Sequence, residues 1–514
     1  MDPFRNLPVR VFDRDADITG VEAAIAELEK NAGREYPLVI GGQSYTNDRK
    51  LNTTNPANPD ELLATFQKAT QAQADEAIQL ANRTFESWKH TAARDRANIL
   101  LRAAEILRQR RDAAIAVMIL EVGKNWIEAD ADLAEAVDFL EFYAREALRY
   151  AEHQPIVPLE GEEPELFYIP LGTGAVIPPW NFPLAILTGM TSAAIATGNT
   201  VVLKPASDTP LTGQLLADTM VEAGLPPGVL TYLPGSGSEI GDFIVEHPRI
   251  RFISFTGSME VGLGINERAA KVAPGQIWIK RVVAEMGGKD AIIVDSDADL
   301  DAAAEGSVAS AFGFQGQKCS ACSRLIVHEA VYDSLIEKVV AGTEALTVGP
   351  PKDRHNFMGP VINQAAMDKT LSYIDIGHQE GRLLIGGNRI ADTGYFLEPT
   401  IFTDIHPESR LGQEEIFGPV LAVMKAKDFD EALDIANSTI FGLTGAVYSH
   451  NPDHLNKARD AFHVGNLYFN RKCTGALVGV HPFGGFNMSG TDSKAGGNDY
   501  LGLFLQAKSV SRKT

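Results

Sequence analysis

The chain has 514 residues, of which 45% are hydrophobic, so it can bury a large core and is neither a disordered tail nor a small disulfide-stapled module. Its 46 Lys and Arg residues against 67 Asp and Glu residues give a formal net charge of −21, which argues against nucleic acid and anionic membrane surfaces as partners. Three cysteines cannot form a disulfide framework, and the opening sequence Met-Asp-Pro-Phe-Arg-Asn lacks an apolar signal segment, so we expect a cytoplasmic protein. At roughly 150 residues per domain, the length predicts about three structural units.

The N-terminal third is predicted to be helical. Apolar residues recur at a spacing of three and four in residues 74–88 and again in residues 99–121, with charged residues on the opposite side. Residues 166–203 contain no Asp, Glu, Lys or Arg, but prolines and asparagines interrupt them, which would leave unpaired backbone groups in a bilayer. We therefore expect a buried strand, a turn and a buried helix there rather than a membrane span.

From about residue 171 the sequence alternates between short apolar runs and helical stretches. This alternation is typical of a parallel sheet covered on both faces, which binds ligands beyond the carboxyl ends of its strands. A second such block begins at about residue 287, so the sequence predicts two α/β lobes. The last run, residues 504–510, predicts an isolated strand whose unpaired edge would find a partner in another subunit. The predicted strands are residues 174–177, 200–203, 229–233, 252–255, 291–294, 325–327 and 445–448, and the predicted helices between them include 212–223 and 300–312.

Cys319 lies in the sequence Gly316-Gln-Lys-Cys-Ser-Ala-Cys322, directly after a predicted helix. Gly316 permits a sharp break in the chain and Lys318 adds a positive charge, and both favour an accessible thiolate nucleophile. Taken alone, Cys319 could equally be a small buried hydrophobe, a redox partner of Cys322 or half of a zinc site. Because Cys473 is the one cysteine left, a second pair of zinc ligands is lacking, and we expect no metal.

Glu285 and Asn181 are candidates for proton transfer and for oxyanion stabilisation. Glu285 precedes two glycines, and burial could raise its pKa to that of a general base, although an isolated glutamate is more often a solvated charge. Asn181 lies in the uncharged stretch, where a buried amide can donate to a developing oxyanion or simply hold a turn. The sequence Phe255-Thr-Gly-Ser-Met-Glu-Val-Gly262 should open a helix whose N-terminus suits a pyrophosphate, although the full glycine fingerprint is incomplete.

These motifs follow one another in an order that is more specific than any one of them. In chain order they are Pro179-Trp-Asn-Phe-Pro, Lys204-Pro-Ala-Ser, Phe255-Thr-Gly-Ser, Glu285-Met-Gly-Gly-Lys, Gly316-Gln-Lys-Cys and Glu415-Ile-Phe-Gly-Pro. The order resembles the aldehyde dehydrogenase superfamily over about residues 37–510. The resemblance implies an α/β fold with a Rossmann-type cofactor domain, an α/β catalytic domain and a small β flap for oligomerisation. The implied ranges are an N-terminal extension at 1–36, the NAD-binding domain at 37–147 and 171–286, the catalytic domain at 287–489, and oligomerisation segments at 148–170 and 490–514.

The resemblance also implies a role for each matching residue. Cys319 matches the nucleophile, Glu285 the base, and Asn181, with the main-chain N–H of Cys319, the oxyanion hole. The thiol would attack the aldehyde to give a thiohemiacetal and then a thioester, which water activated by Glu285 would release as the acid. The residues matched to the cofactor site are Ile177, Trp180, Lys204, Ser207, Thr256, Gly257, Ser258, Glu415 and Phe417. The residues matched to the substrate site are Glu135, Phe182, Ser320, Gly475, Ala476 and Phe483.

A C-terminal stretch indicates which branch of the superfamily the chain resembles. The sequence Asn470-Arg-Lys-Cys-Thr-Gly-Ala476 precedes His481-Pro-Phe-Gly-Gly-Phe-Asn-Met-Ser-Gly-Thr-Asp-Ser-Lys494. Together they resemble the branch of the superfamily that oxidises L-glutamate γ-semialdehyde, in equilibrium with 1-pyrroline-5-carboxylate, to glutamate in proline breakdown. This implies a small aldehyde as substrate, NAD as cofactor, a homo-oligomer built from dimers and a functional link to a proline dehydrogenase. Gly475 and Ala476 would grip the carboxylate of the substrate.

The chain departs from the family pattern at two positions, and several rival functions stay open. Many NAD-preferring relatives carry Glu where this chain has Ser207, so NADP is not excluded electrostatically and we expect NAD with NADP tolerated. Cys322 is an extra thiol that could trap Cys319 as a disulfide under oxidation. One rival function is the oxidation of another small aldehyde, such as another semialdehyde. The others are a CoA-acylating or acyl-phosphate reductase, which Glu285 argues against, and a non-catalytic binding protein, which the intact catalytic residues argue against.

Overall fold

The computed structural model describes residues 3–514, beginning with a segment without helix or strand over residues 3–14. The next elements are α1 (Asp15–Lys30), β1 (Arg34–Tyr36), β2 (Leu38–Ile40), β3 (Gln43–Tyr45), β4 (Lys50–Asn55) and β5 (Asn58–Gln67). β5 lies between β1 and β4 in a three-stranded sheet, and β2 pairs with β3 in a hairpin. The prediction that the N-terminal third is helical is confirmed by α1 and is wrong for residues 34–67, where backbone pairing between short, mostly polar strands decides the structure.

Four long helices follow: α2 (Gln71–Trp88), α3 (Ala93–Gln109), α4 (Arg111–Val122) and α5 (Trp126–Ala151). α2 confirms the helix predicted over residues 74–88, and it begins with a capping box in which the side chains of Thr70 and Gln73 each satisfy the other's main-chain N–H. The pattern predicted over residues 99–121 forms two helices instead of one, because Arg110 leaves the helical conformation and turns the chain.

A five-stranded parallel sheet forms the first α/β lobe, as predicted. Its elements and the strand before it are β6 (Glu162–Pro170), β7 (Thr173–Ile177), α6 (Ala185–Ala196), β8 (Thr200–Leu203), α7 (Pro210–Glu222), β9 (Leu230–Tyr232), α8 (Asp242–Glu246), β10 (Phe252–Thr256), α9 (Met259–Ala270) and β11 (Arg281–Glu285). Along β8, Val201 and Leu203 face one apolar core and Val202 faces another, so both faces of the sheet are covered. The strand order is β11-β10-β7-β8-β9. From β7 the chain adds β8 and β9 on one side and then returns to add β10 and β11 on the other side, so the order of addition reverses between β7 and β10. Such a reversal opens a crevice for a ligand at the carboxyl ends of these two strands.

A seven-stranded sheet forms the second α/β lobe, which confirms the prediction of two lobes. Its strand order is β14-β15-β16-β13-β12-β18-β19, parallel except for the edge strand β14. The elements of this half are β12 (Ala291–Val294), α10 (Leu300–Phe312), β13 (Arg324–His328), α11 (Tyr332–Glu344), α12 (Gln364–Glu380), β14 (Arg382–Ile385), β15 (Thr400–Thr403), α13 (Arg410–Gln413), β16 (Val420–Ala426), α14 (Phe429–Asn437), β17 (Phe441–Gly442), β18 (Thr444–Tyr448), α15 (Pro452–Ala461), β19 (Asn466–Phe469), β20 (Phe486–Asn487) and β21 (Leu505–Lys513).

The C-terminal strand β21 is not isolated, contrary to the prediction for residues 504–510. It pairs antiparallel with β6 along its whole length, from Leu505 opposite Pro170 to Lys513 opposite Glu162. The partner was missed because it lies more than 300 residues earlier in the chain. The resulting two-stranded ribbon brings the segments 148–170 and 490–514 together.

The two lobes meet where the first sheet ends and the second begins. β11 ends at Glu285 and β12 begins at Ala291, so the loop between them joins the carboxyl edge of one sheet to the amino edge of the other. Cys319 lies in the loop shortly before β13, at the same amino edge. Among residues 3–514, none of the helices combines the length and the apolar character needed to cross a membrane.

Candidate active site

A strained turn presents Cys319. After α10 ends at Phe312, the chain makes a single turn of 3-10 helix over Gly313–Gly316, in which Phe314 and Gln315 have φ values of 50° and 58°. Gly316 follows with φ +68°, and a Cβ there would collide with the carbonyl oxygen of Gly418. The predicted sharp break at Gly316 is therefore confirmed. Positive φ at non-glycine residues costs of order 1–3 kcal/mol each and persists where the surrounding structure holds it, which is typical of functional sites.

The surroundings of Cys319 favour the neutral thiol. Desolvation raises its pKa above the ordinary value, and the acidic side chains of Asp290, Glu415 and Glu285 raise it further. The Nζ of Lys318 lies 2.6 Å from a carboxylate oxygen of Glu128 and forms an ion pair there. The predicted support of a thiolate by Lys318 is therefore wrong, because adjacent residues project their side chains in different directions.

Glu285 is held at the end of β11 by two donors from the C-terminal segment. The hydroxyl of Ser493 donates to Oε1, and the main-chain N–H of Gly485 donates to Oε2 with an N···O distance of 3.2 Å. Burial raises the pKa of Glu285 to about 8, although both hydrogen bonds favour the charged form. Once charged, a carboxylate with this raised pKa is a stronger base towards water than an exposed glutamate.

Asn181 lies in the turn after β7, and its side chain is only 4% exposed. Its Nδ2 donates to the main-chain oxygen of Gln317 with an N···O distance of 3.0 Å. An amide nitrogen carries two hydrogens, so one remains for an oxygen atom in the adjoining cavity, which Asn181 lines together with Cys319. The geometry therefore suits the predicted role of Asn181 in an oxyanion hole.

A cavity of about 390 Å³ opens at the crevice between β7 and β10 and reaches Cys319. The rings of Trp180 and Phe417 meet edge to face in its wall, with centroids 5.5 Å apart. Ser258 caps α9, whose N-terminus carries the partial positive charge that favours phosphate groups. The residues of the predicted cofactor site that line this cavity are Trp180, Thr256, Gly257, Ser258, Glu415 and Phe417.

Glu415 is placed to hold a polar ligand in the same cavity. The main-chain N–H of Gly288 donates to its Oε1 at 3.1 Å, and Lys289 and Lys369 lie close enough to counter the rise in pKa that burial causes. A Cβ at Gly287 would collide with the carboxylate of Glu415, so the chain here has no room for a larger residue. An apolar wall, a helix N-terminus and a fixed carboxylate together fit a dinucleotide.

Three residues predicted for the cofactor site lie outside the lining of this cavity, namely Ile177, Lys204 and Ser207. Lys204 is 5% exposed, its Nζ donates to the main-chain oxygen of Pro205 at 2.9 Å, and burial lowers its pKa to about 8. Direct neighbours line the cavity in their place, including Pro178 and Ala206. The motif located the right turns of the chain, but side-chain direction within each turn was not readable from the sequence.

A second cavity, of about 420 Å³, lies on the other side of the thiol. Cys319 and Glu285 line it, and it shares Ile186, Thr256, Met286 and Cys319 with the first cavity. A molecule in each cavity could thus meet at the sulfur atom. All the residues predicted for the substrate site line this second cavity, namely Glu135, Phe182, Ser320, Gly475, Ala476 and Phe483.

Lys124 packs against the lining of this cavity, and no sequence motif predicted this contact. Its Nζ lies 4.2 Å from the ring centroid of Phe182 and 4.0 Å from that of Phe314, and it forms an ion pair with Asp132 at 3.2 Å. Cation–π contacts in a desolvated setting contribute about 2 kcal/mol. Lys124 therefore fixes the Phe182 ring that faces the cavity. Burial and the nearby Asp132 raise the pKa of Glu135 to about 8.

The buried Cys322 has neighbours other than the nucleophile. Its thiol interacts with that of Cys473 and donates to the main-chain oxygen of Arg324 at 3.4 Å. This geometry favours Cys473 over Cys319 as a partner, and the trapping of Cys319 stays a prediction. Among residues 3–514, no group of three or more His, Cys, Asp or Glu side chains is placed to hold a metal ion.

Comparisons with known proteins agree with this geometry. A model of the aldehyde dehydrogenase family matches residues 44–510. The chain is 56% identical to the 1-pyrroline-5-carboxylate dehydrogenases of Geobacillus sp. (strain WCH70) and of Geobacillus thermodenitrificans, over 99% of each chain. The solved structure of 1-pyrroline-5-carboxylate dehydrogenase from Thermus with bound NAD matches it with a TM-score of 0.98 and 52% identity over both whole chains. Proline utilization A from Bdellovibrio bacteriovorus matches all of this chain with 53% of its own, at 43% identity and a TM-score of 0.98.

Proposed function

Because the chain belongs to the aldehyde dehydrogenase family, we propose that it oxidises L-glutamate γ-semialdehyde, the open form of 1-pyrroline-5-carboxylate, to L-glutamate in proline degradation, with NAD as the acceptor. The observation that carries this proposal is the thiol of Cys319 at the junction of two cavities, one suited to a dinucleotide and one to a small polar molecule. The identity of relatives over the whole chain supports the choice of substrate.

In the first half-reaction, the sulfur of Cys319 bonds to the aldehyde carbon, the carbonyl π electrons move to the aldehyde oxygen, and the thiol proton leaves to solvent, which gives the anion of a thiohemiacetal. The negative charge that develops on the aldehyde oxygen is met by the side chain of Asn181 and the main-chain N–H of Cys319. Such preorganised donors act where charge develops, and losing one typically costs about 3 kcal/mol of barrier. The substrate's carboxylate would lie against Gly475 and Ala476, and its aliphatic part between Phe182 and Phe483.

The dinucleotide would lie in the first cavity. Trp180 and Phe417 would contact its rings, Thr256, Gly257 and Ser258 its phosphates and nicotinamide, and Glu415 a ribose. When bound, NAD supplies a two-electron acceptor beside the sulfur-bound carbon. The chain's own residues hold the tetrahedral adduct in place for that oxidation, which leaves a thioester on Cys319.

In the second half-reaction, Glu285 acts on water. Its carboxylate accepts a proton as the water oxygen attacks the thioester carbon. The carbon–sulfur bond then breaks, the acid is released, and the sulfur of Cys319 takes up a proton to become a thiol again. A reductase that passes the acyl group to CoA or phosphate has no need of this base. The placement of Glu285 in the same cavity as Cys319 therefore supports hydrolysis to the free acid.

We further propose the domain ranges implied by the family resemblance. The five-stranded sheet falls within 171–286 and the seven-stranded sheet within 287–489, which supports a cofactor domain and a catalytic domain. The exposed ribbon of β6 and β21 supports 148–170 and 490–514 as the segments through which copies associate into dimers or assemblies of dimers. A cytoplasmic location and a functional link to a proline dehydrogenase complete the proposal, the link being supported by the match to proline utilization A.

The substrate assignment is tested by NADH formation with three aldehydes at equal concentration. We expect kcat/KM to be at least about 100-fold higher for pyrroline-5-carboxylate than for propanal or succinate semialdehyde. Propanal has no carboxylate for Gly475 and Ala476 to bind, and the carboxylate of succinate semialdehyde is one carbon closer to the aldehyde and carries no α-amino group beside it. Equal turnover of the three aldehydes would contradict the assignment. Heat-inactivated protein is the control for slow reactions of pyrroline-5-carboxylate without enzyme.

A further inference from the structure

The N-terminal segment over residues 3–14, which we call the strap, forms part of the substrate cavity. Leu7 and Val9 line it together with Ile127, Ala131 and other residues of α5. The family resemblance assigned no role to this segment, which precedes the residues that the family model matches. The strap therefore contributes an apolar wall that the motifs did not predict.

Polar contacts hold the strap to α5 and to the loop after β19. The carboxylate of Asp138 accepts hydrogen bonds from the Nδ2 of Asn6 and from the main-chain N–H of Leu7, each at 2.8 Å. The same Nδ2 of Asn6 also donates to the main-chain oxygen of Val478 at 3.0 Å. Asn6 thus connects the helix that carries Glu135 to the loop that carries Gly475 and Ala476.

Further contacts fix the strap at both ends. The ring of Phe4 meets that of Phe142 edge to face with centroids 5.3 Å apart, and the ring of Phe12 meets that of Trp126 in the same way at 5.2 Å. Between them, Arg111 donates to the main-chain oxygen of Pro8 at 2.8 Å. These contacts hold Leu7 and Val9 in fixed positions in the lining of the cavity.

We propose that the strap determines substrate specificity in two ways: Asn6 positions the loop that grips the substrate's carboxylate, and Leu7 and Val9 close the space beyond that loop to longer aldehydes. This inference rests on the proposed function for its first part. The second part concerns the shape of the cavity and holds for any aldehyde that reaches Cys319.

The test of the wall uses two matched substitutions on the strap. Val9→Ala removes two methyl groups that line the cavity, whereas Val11→Ala makes the same change at a side chain that is 73% exposed and lies outside the cavity. We expect Val9→Ala to raise the ratio of kcat/KM for hexanal to that for propanal about fivefold, and Val11→Ala to leave the ratio unchanged. Because both aldehydes are measured on one sample, the ratio does not depend on the folded fraction. Equal ratios in the two variants would contradict the proposal that Leu7 and Val9 limit the length of the aldehyde.

The test of the loop uses Asn6→Ala. Without the hydrogen bond to Val478, the carboxylate-gripping loop loses its connection to the strap, although Arg471 still donates to the main-chain oxygens of Thr474 and Gly475. We therefore expect KM for pyrroline-5-carboxylate to rise roughly tenfold while kcat and the rate with propanal stay near the wild-type values. An unchanged KM, or an equal loss with both aldehydes, would overturn the positioning role. If wild-type protein shows no preference for pyrroline-5-carboxylate, the proposed substrate is wrong instead. The ratio of hexanal to propanal still tests whether Leu7 and Val9 limit the length of the aldehyde.

Discussion

The side-chain nitrogen of Asn181 lies 3.0 Å from the main-chain oxygen of Gln317, to which it donates a hydrogen bond. This bond joins the turn after β7 to the turn that presents Cys319, across 136 residues of sequence. The amide is therefore oriented before any substrate arrives. Its second hydrogen is left for an oxygen atom in the cavity that Asn181 and Cys319 both line, and a donor fixed in advance is what oxyanion stabilisation requires.

Asn181→Ala should lower kcat/KM roughly 100-fold, corresponding to about 3 kcal/mol of lost transition-state stabilisation. The measurement is steady-state NADH formation with pyrroline-5-carboxylate. Asn31→Ala, which removes an exposed amide at the end of α1, is the matched control and should retain full activity. A loss of less than threefold in Asn181→Ala would contradict the role of this amide.

The raised pKa of Glu285 predicts how the rate depends on pH. Below about 8 the carboxyl group is mostly protonated and cannot accept a proton from water, and above about 8 it is mostly charged and can. The rate of thioester hydrolysis should therefore rise as the pH rises through about 8 and then level off. Glu285→Gln should abolish this rise and leave a burst of about one NADH per active site, because acylation needs no base on water. A full multiple-turnover rate in Glu285→Gln would contradict the assignment.

Ser493 is expected to tune this base as a positioning residue. Its hydroxyl donates to Oε1 of Glu285, which favours the charged carboxylate. Ser493→Ala should therefore raise the pKa of Glu285 and move the midpoint of the pH–rate profile upward by about one unit, since a hydrogen bond to a charged group contributes roughly 1.5 kcal/mol. Ser493→Thr keeps a hydroxyl and should restore the midpoint. A lower rate with an unmoved midpoint would indicate a merely structural role.

Ser207 predicts tolerance of NADP. It lies directly after Ala206, which lines the first cavity, and it carries no negative charge to repel a 2′-phosphate. Ser207→Glu should lower kcat/KM with NADP roughly tenfold and change that with NAD little, because the repulsion acts only on the extra phosphate. Ser207→Gln, of similar size but neutral, is the control. An equal effect of both substitutions on NADP would point to size rather than charge.

Much of the fold could be predicted from local patterns. The strands of the two parallel sheets are short apolar runs between glycines and prolines, and those such as Thr200–Leu203 and Ala291–Val294 lie where the sequence placed them. The strands over residues 34–67 were missed because sequences such as that of Lys50–Asn55 are largely polar, and their stability comes from pairing with β5. The partner of β21 was missed because strand pairing over a long separation leaves no mark on either strand alone.

In the site, too, local motifs could be predicted and contacts between distant segments could not. Motifs placed Cys319, Glu285 and Asn181 around one pair of cavities, because each motif fixes a local turn. Motifs did not show that Lys318 turns away to Glu128, which comes from α5 far earlier in the chain. Nor did they show Lys124 beneath Phe182, since contacts between distant segments depend on packing that a linear pattern does not encode.

The most direct test of the account is Cys319→Ala, assayed for NADH formation with pyrroline-5-carboxylate and for NAD binding by calorimetry. The account predicts no turnover above the background of heat-inactivated protein, with NAD affinity within about threefold of wild type, because the thiol forms the covalent adduct but contributes little to holding the dinucleotide. Turnover that persists in Cys319→Ala would show that the reaction does not pass through this sulfur, and the proposed mechanism would be wrong.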